Sequence, residues 1–371
     1  MKHKKLFYFE LQPGMTIAED VYSDDGKLIT VAGTKLTEQI ISKLSYNSII
    51  ELNIIEDDED NSKDTNTEIP EISYKPVINS TSYSQRIKSS QDFKVFKEDY
   101  LENISDIKNM FNDVVNRNMP IDPQAFIDHS MQLLGESYNS IHIFDMLHNM
   151  RDFDDATHVH SLNVGLISGI IGKWLNFDKD DIDTLILCGI FHDIGKLTIP
   201  HEILTKPAKL TDKEYAIIKN HPVNGYNLIK DQNIDSRIKE SCLLHHERCD
   251  GSGYPFKLTG NKIPMCAKII AVADVYDAMT ANRCYRNALC PFEVIKIFEN
   301  EGLYHYDPRV ILTFLENITQ TYMHNTVQLN DGRTGEIVLI NKMNLTKPVI
   351  QCGNEFINLA EYPDLSISAI I

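Results

Sequence analysis

The chain has 371 residues, of which 42% are hydrophobic and 24% are charged, and its formal net charge is −17. This composition is typical of a folded protein of two or three domains, and it excludes a wholly disordered, collagen-like or coiled-coil chain. An acidic surface repels phosphate backbones, so a nucleic-acid polymer is not an expected partner. No stretch reaches the ~18 apolar residues of a membrane span, and the start is too polar for a secretory signal. The seven cysteines form no C-x-x-C pair, which favours free thiols and a cytoplasmic protein.

The first 55 residues predict a small α/β domain. Two β-rich runs flank the sequence Asp24-Asp25-Gly26, and an Asp-Gly pair between such runs is typical of a β-hairpin. The predicted elements are strands over Met15–Val21 and Lys27–Val31, a helix over Leu36–Leu44 and a strand over Ile49–Ile55.

An acidic segment follows this domain. Eight acidic residues and one lysine lie between Glu56 and Glu71. Such a composition buries too little apolar surface to fold, so residues 56–91 are predicted to be a solvated linker.

Residues 92–324 predict helices almost throughout. Pro123 follows Asp122 at a predicted helix start, and Thr211 with Glu214 matches a capping box. Asp307-Pro308 begins a further helix, whose predicted apolar stripe is Val310, Ile311, Phe314, Leu315 and Ile318.

The remaining residues, 325–371, again have sequence features that are typical of β-strands. Asn330-Asp331-Gly332 predicts a turn before a strand over Gly335–Ile340, and Pro348–Cys352 predicts another strand. The predicted fold is therefore mainly α, with an all-helical central domain, a small α/β N-terminal domain and a short β-rich C-terminal appendage.

Histidines concentrate in the helical region, where seven of the thirteen lie between His158 and His246. His192-Asp193 ends one apolar helical run and His245-His246 ends another. Neighbouring imidazole and carboxylate groups can bind one metal ion or bridge two. A single histidine on an apolar helix is more often a core residue, but several buried helices with polar groups of this kind favour a metal site. Lys196 lies one turn after His192, where its ammonium could stabilise negative charge.

The order and spacing of these motifs resemble those of HD-GYP proteins, the metal-dependent phosphodiesterase branch of the HD superfamily. The resemblance covers about residues 145–320. It is carried by His160-Ser161, His192-Asp193-Ile194-Gly195-Lys196, Ile199-Pro200, Lys206-Pro207, His221-Pro222 with Gly225, His245-His246-Glu247, Asp250-Gly251-Ser252-Gly253-Tyr254-Pro255, Ala273-Asp274-Val275-Tyr276-Asp277-Ala278, Arg283 and Tyr285-Arg286. Residues 11–55 look like the small domain often found before such modules.

The resemblance implies a helical HD-type catalytic domain that hydrolyses cyclic di-GMP to pGpG, with GMP as a further product, through attack by a hydroxide that bridges two metal ions. Two divalent ions, Fe or Mn, are expected, because imidazole ligands suit them better than Mg. The implied metal ligands are His160, His192, Asp193, His221, His245, His246 and Asp274. The implied catalytic residues are Asp193, as the bridge, and Lys196. The implied substrate contacts are Arg283, Arg286, Gly253, Tyr254, Pro255 and Asp277.

One departure from the family pattern concerns the number of metals. Ala156 lies four residues before His160, where family members with three metals carry glutamate, so two metals are expected here. Asn282, Cys284 and Cys249 also depart from the usual residues near the substrate.

Two other functions are compatible with the sequence. One is a signalling receptor that binds the dinucleotide and turns it over poorly or not at all, and the other is a hydrolase of another nucleotide, such as a different cyclic dinucleotide. Protein signalling partners and a homodimer are compatible with each of these functions.

Overall fold

The structure is a computed structural model that describes residues 87–371, except for 135–139, 151–155, 207 and 282–287, and parts of residues 2–56. The chain divides into two compact units, Met1–Lys75 and Pro76–Ile371. Each unit has its own hydrophobic core. The predicted acidic linker falls mostly outside the described residues.

The N-terminal unit contains five short strands among its described residues. These are β1 (Lys2–Phe7), β2 (Thr16–Ile17), β3 (Val21–Tyr22), β4 (Leu28–Thr30) and β5 (Glu51–Glu56). Strands β1, β5 and β2 form an antiparallel sheet in that order, and β3 pairs with β4. Strands β4 and β5 confirm the predicted strands over 27–31 and 49–55, and β3 pairs with β4 across Gly26. The turn itself and most of the predicted helix over 36–44 lie outside the described residues.

The prediction of one strand over 15–21 was wrong, because β2 and β3 belong to different sheets. The chain bends between them. Ala18 N–H donates to the carbonyl of Asn53 at 2.7 Å, and Asp20 Oδ1 accepts from Ala32 N–H at 2.8 Å. These two hydrogen bonds tie the bend to two different segments, which alternation of residue types along a short run does not reveal.

The second unit is mainly helical, as predicted. Its helices among the described residues are α1 (Gln91–Arg117), α2 (Pro123–Leu133), α3 (Ser140–Asn149), α4 (Ala156–Trp174), α5 (Lys179–Phe191), α6 (His201–Leu204), α7 (Asp212–Ile218), α8 (His221–Ile229), α9 (Ser236–Leu244), α10 (Met265–Thr280), α11 (Pro291–Ile297), α12 (Leu303–His305) and α13 (Pro308–Gln320). A 3₁₀ segment, Ile194–Thr198, follows α5. None of the helices in the described part of the chain is long and apolar enough to cross a membrane.

The predicted helix starts are confirmed. Helix α2 begins at Pro123, and α7 is preceded by a complete capping box between Thr211 and Glu214. Helix α13 begins at Pro308, with the Asp307 side chain accepting from Arg309 N–H at 3.1 Å. Its five predicted apolar residues are all buried. The local signals were sufficient here because each helix start depends on residues adjacent in sequence.

The C-terminal residues form a five-stranded antiparallel sheet of order β10-β6-β7-β8-β9. Its strands are β6 (Thr326–Leu329), β7 (Thr334–Leu339), β8 (Val349–Cys352), β9 (Glu355–Asn358) and β10 (Ile367–Ile370). Strands β7 and β8 confirm the predicted strands. The sheet lies in the same compact unit as the helices, and buried residues such as Val327 and Ile350 join the helical core.

Candidate metal centre

Helices α4 and α5 cross at two glycines, and this crossing brings the first histidines together. A Cβ atom on Gly189 would lie 2.5 Å from the Cα of Gly165. Because neither residue has a side chain, the two backbones pack in direct contact. His160 near the start of α4 and His192 just after α5 are thereby held with their ring centroids 5.1 Å apart.

Three of the candidate ligands have their proton positions fixed by backbone carbonyls. A carbonyl oxygen only accepts hydrogen bonds, so the facing Nδ1 must carry the proton, which leaves the Nε2 lone pair of a neutral ring free. The contacts are His192 Nδ1 to Gly189 O at 2.6 Å, His221 Nδ1 to Ile218 O at 2.8 Å and His245 Nδ1 to Cys242 O at 2.9 Å. Metal-binding histidines are commonly oriented in this way.

The carboxylate of Asp193 lies between two groups of imidazoles. Its Oδ2 is 3.2 Å from His192 Nε2 and 3.5 Å from His160 Nε2. Its Oδ1 is 3.1 Å from His221 Nε2 and 3.8 Å from His245 Nε2. Each oxygen therefore faces a different pair of ring nitrogens, as a carboxylate that bridges two cations would.

The candidate ligand atoms fall into two groups, in each of which all atoms lie within 4.8 Å of one another. One group is Asp193, His221, His245 and His246, and the other is His160, His192 and Asp274. Together they comprise the seven residues predicted as ligands from the sequence. Among the described residues, the Nε2 atoms of His160 and His192 and Oδ1 of Asp193 are buried without a hydrogen-bond partner. Buried polar atoms are rarely left without a partner, so this donor set fits a divalent metal.

The charges of these groups also suit a cation. Burial by itself would raise the pKa values of Asp193 and Asp274, but neighbouring imidazoles, and Lys196 beside Asp193, outweigh it and hold both pKa values well below the ordinary value. Burial lowers the pKa of His246 to about 3, and it also lowers that of His245. The carboxylates are therefore ionised and these two imidazoles neutral at neutral pH, which is the state that binds metals.

His160 differs from these two histidines. Burial would lower its pKa, but the neighbouring carboxylates of Asp274 and Asp277 outweigh burial and raise it. Its Nε2 lies 3.1 Å from Asp274 Oδ1. A proton on Nε2 would therefore occupy the position between these two atoms that a cation would take, and the two would compete.

Lys196, predicted as an active-site residue, lies in the 3₁₀ segment after α5. Its ammonium forms an ion pair with Asp193 Oδ2, and its side chain is 21% exposed. The ammonium therefore lies at the edge of the ligand cluster, next to its central carboxylate.

Asp277 was expected to contact substrate, but the structure places it behind His160. Its Oδ2 accepts from His160 Nδ1 at 2.7 Å, and its Oδ1 accepts from Asn163 Nδ2 at 2.9 Å. Tyr100 in turn donates to Asn163 Oδ1 at 2.5 Å. Both oxygens of this buried carboxylate are thus engaged by His160 and Asn163.

The other predicted substrate contacts lie in two places. Tyr254 stacks on the ring of His246 with centroids 4.6 Å apart and planes at 23°, and Gly253 and Pro255 flank it in the same loop. Arg283 and Arg286 lie outside the described residues.

Sequence reasoning missed Asn163, Tyr100 and the contribution of Glu247. Tyr100 and Asn163 join Asp277 behind His160 through contacts between segments distant in sequence, and the Glu247 side chain bonds the loop that follows the paired histidines. Only the position of Glu247, directly after His245-His246, was a signal available in the sequence.

The segment that contains these candidate ligands is similar in sequence to known proteins. Residues 146–310 match the HD domain family. A cyclic di-GMP phosphodiesterase of Pseudomonas aeruginosa is 34% identical over 204 residues, which are 54% of this chain and 49% of that protein. A cyclic di-GMP phosphodiesterase of Thermotoga maritima is 36% identical over 190 residues, or 50% of this chain and 51% of that protein. A 3'3'-cGAMP-specific phosphodiesterase of Vibrio cholerae is 37% identical over 167 residues, or 45% of this chain and 39% of that protein.

This chain thus spans about half the length of the first two relatives and less of the third. The matched segment contains all seven candidate ligands and the Asp250–Pro255 stretch that follows the paired histidines. The chain therefore contains an HD domain over residues 146–310, similar to the matched segments of cyclic di-GMP phosphodiesterases.

Proposed function

We propose that the HD domain hydrolyses cyclic di-GMP with two divalent metal ions. The observation that carries the proposal is the position of Asp193, whose two carboxylate oxygens face two separate groups of histidine nitrogens. The relatives named as cyclic di-GMP phosphodiesterases support the substrate.

The metal ligands in this proposal are the seven residues of the two groups, with Asp193 shared between the ions. Five imidazoles and two carboxylates favour Fe or Mn over Mg, which prefers oxygen ligands and keeps its water. Two such ions held by two carboxylates leave a local charge of about +2, which attracts a substrate with two phosphodiester charges in spite of the acidic chain. When bound, the ions would supply an activated water and neutralise charge on the phosphate.

In this proposal, side chains of the protein orient the metal ligands and bind the substrate. Asp277 holds the proton of His160 on Nδ1, so that Nε2 is kept as a ligand atom. Lys196 brings a positive charge beside Asp193, where it can bind a phosphate oxygen of the substrate. Arg283 and Arg286 are proposed as further phosphate or base contacts, since a guanidinium binds phosphate through two parallel hydrogen bonds. The loop of Gly253, Tyr254 and Pro255 borders the site.

We propose pGpG as the early product and GMP as a later one. A site that held two ions would supply the chemistry for one displacement at a time, so the linear dinucleotide would have to be bound again through its second phosphodiester. Ala156, one turn before His160 at the start of α4, provides no carboxylate for a third ion.

The proposed setting is a reducing cytoplasm, supported by the free cysteines among the described residues. A homodimer and protein partners that deliver a signal are part of the same proposal.

A second candidate substrate is 3'3'-cGAMP. The observation that favours it is the Vibrio cholerae relative named as specific for that dinucleotide, which is as similar to this chain as the cyclic di-GMP phosphodiesterases are.

The test is hydrolysis of both dinucleotides by one preparation. Protein cleared of metal and reloaded with Mn²⁺, Fe²⁺ or Mg²⁺ is incubated with cyclic di-GMP or 3'3'-cGAMP, and the products are separated by chromatography. Faster hydrolysis of cyclic di-GMP with Fe or Mn, and pGpG before GMP, is the expected result. Preference for 3'3'-cGAMP would select the second candidate, and equal or better activity with Mg²⁺ would contradict the metal assignment.

A further inference from the structure

Glu247 is a buried carboxylate directly after the paired histidines, and it is 2% exposed. Its Oε1 accepts from Phe256 N–H at 2.6 Å, and its Oε2 accepts from Leu258 N–H at 2.8 Å. No ion pair in the described part of the chain involves Glu247. A buried carboxylate is costly unless its oxygens are hydrogen-bonded, so these two backbone donors are what stabilises it there.

The loop anchored by Glu247 returns to His246. Tyr254 N–H donates to the carbonyl of His246 at 3.2 Å, and the Tyr254 ring stacks on the imidazole at 4.6 Å between centroids. A Cβ atom on Gly253 would lie 2.4 to 2.5 Å from backbone atoms of residues 246–248. The loop backbone therefore packs directly against the segment that carries the histidine, and only glycine fits at that contact.

His246 lacks the support that the neighbouring ligands have. The rings of His192, His221 and His245 each donate from Nδ1 to a backbone carbonyl. Among the described residues, the ring of His246 makes no hydrogen bond and is held by ring contacts, of which the stacking on Tyr254 is the most nearly parallel. Ligands whose orientation is not fixed bind metal more weakly.

We infer that Glu247 is a positioning residue for His246. Its carboxylate fixes residues 256–258, this loop fixes the ring of Tyr254, and Tyr254 fixes the imidazole plane of His246. The inference rests on the metal centre of the proposed function and not on its substrate. It assigns to Tyr254 a contact with a metal ligand, where the sequence predicted a contact with the dinucleotide.

The first test compares Glu247→Gln with Glu299→Gln. An amide has one acceptor oxygen, so Gln at position 247 keeps one of the two loop hydrogen bonds and turns an N–H₂ group towards the other donor. Glu299 is the matched control, because its carboxylate also accepts from a backbone N–H, that of Leu345 at 3.1 Å, but in the C-terminal part of the unit.

Binding of Mn²⁺ is followed by calorimetry, and the Co²⁺ protein gives a visible absorption spectrum that reports on ligand geometry. We expect Glu247→Gln to raise the Kd of one of two Mn²⁺ ions by about 10- to 100-fold and to change the Co²⁺ spectrum. Glu299→Gln should leave both unchanged. Wild-type Kd values and spectrum in a folded Glu247→Gln protein would overturn the inference, and so would an equal loss of Mn²⁺ in both variants.

A second pair of variants leaves Glu247 and its two hydrogen bonds to the loop unchanged. Tyr254→Ala should weaken the same Mn²⁺ site, and Tyr254→Phe, which keeps the stacked ring, should retain wild-type binding. Equal Mn²⁺ affinity in Tyr254→Ala and Tyr254→Phe would contradict the proposed route through the ring. Since no substrate is used, a protein that shows these differences but hydrolyses neither cyclic dinucleotide would refute only the proposed function.

Discussion

The Nε2 atoms of His221 and His245 lie 3.2 Å apart, and in neutral rings whose Nδ1 carries the proton neither Nε2 has a proton to donate. The Nδ1 proton of each ring is directed to a backbone carbonyl. Two lone pairs at this distance repel each other, and no hydrogen bond relieves the repulsion. A cation between them turns the repulsion into attraction, so the contact is stable in a protein that binds metal there.

We expect Asp193→Asn to lower the content of both metals, because the carboxylate shared by the two groups loses its charge and one of its two acceptor oxygens. Elemental analysis after dialysis should give well below one metal per chain, and hydrolysis of cyclic di-GMP should fall below detection. Asp178→Asn is the control, since Asp178 only caps α5, and asparagine caps a helix equally well. Two metals retained in Asp193→Asn would refute the shared ligand.

Asp277→Asn should weaken metal binding at His160 by about 10- to 100-fold, since the tautomer of His160 would no longer be fixed by a carboxylate. At saturating Mn²⁺ the KM for the dinucleotide should stay near the wild-type value. A large rise in KM with unchanged metal affinity would instead restore Asp277 to the role of a substrate contact.

The sequence predicted the members of the two candidate ligand groups, but not the residues that bond to them. His192-Asp193 and His245-His246 are recognisable because adjacent ligands leave a pattern within a few residues. The chain from Asp277 through Asn163 to Tyr100 leaves no such pattern, because its members lie on three helices that meet only in the folded unit.

In the fold, too, features set by neighbouring residues were predicted and features set by distant residues were not. The capping box at Thr211 depends on residues three apart and was predicted correctly. The division of 15–21 between two sheets arises because β2 pairs with β5, more than thirty residues away, while β3 pairs with β4, so the local pattern was misleading.

Lys196→Gln should separate catalysis from metal binding. Loss of the ammonium leaves the metal ligands in place, so the metal content should stay close to that of the wild type. The kcat should fall by about 10²-fold or more if the ammonium stabilises charge that develops in the reaction. A parallel loss of metal and activity would show that Lys196 acts only by holding Asp193.

Gly195→Ala should disrupt the junction between the 3₁₀ segment and α8. A Cβ atom there would lie 2.0 Å from the carbonyl oxygen of His221 and 2.5 Å from the nitrogen of Gly225. Relieving this overlap requires backbone movement, which costs about 1–3 kcal/mol or more of the free energy of unfolding and displaces His221. Thermal unfolding and Mn²⁺ affinity should both decrease. Gly302→Ala is the control, because its Cβ would lie 3.1 Å from a side-chain atom of Ile311, and it should leave Mn²⁺ affinity unchanged.

Removal of divalent cations should lower the unfolding temperature of the wild-type protein, because ions that bind only the folded state stabilise it. At a free Mn²⁺ concentration of about 1,000 times Kd, each site adds roughly 4 kcal/mol to the free energy of unfolding. The stabilisation should disappear on chelation and return with Mn²⁺, as measured by calorimetric or fluorescence melting. Asp193→Asn should show little response to Mn²⁺, because the carboxylate common to both sites is gone. The same Mn²⁺-dependent rise in that variant would mean that the stabilising ions bind elsewhere in the chain.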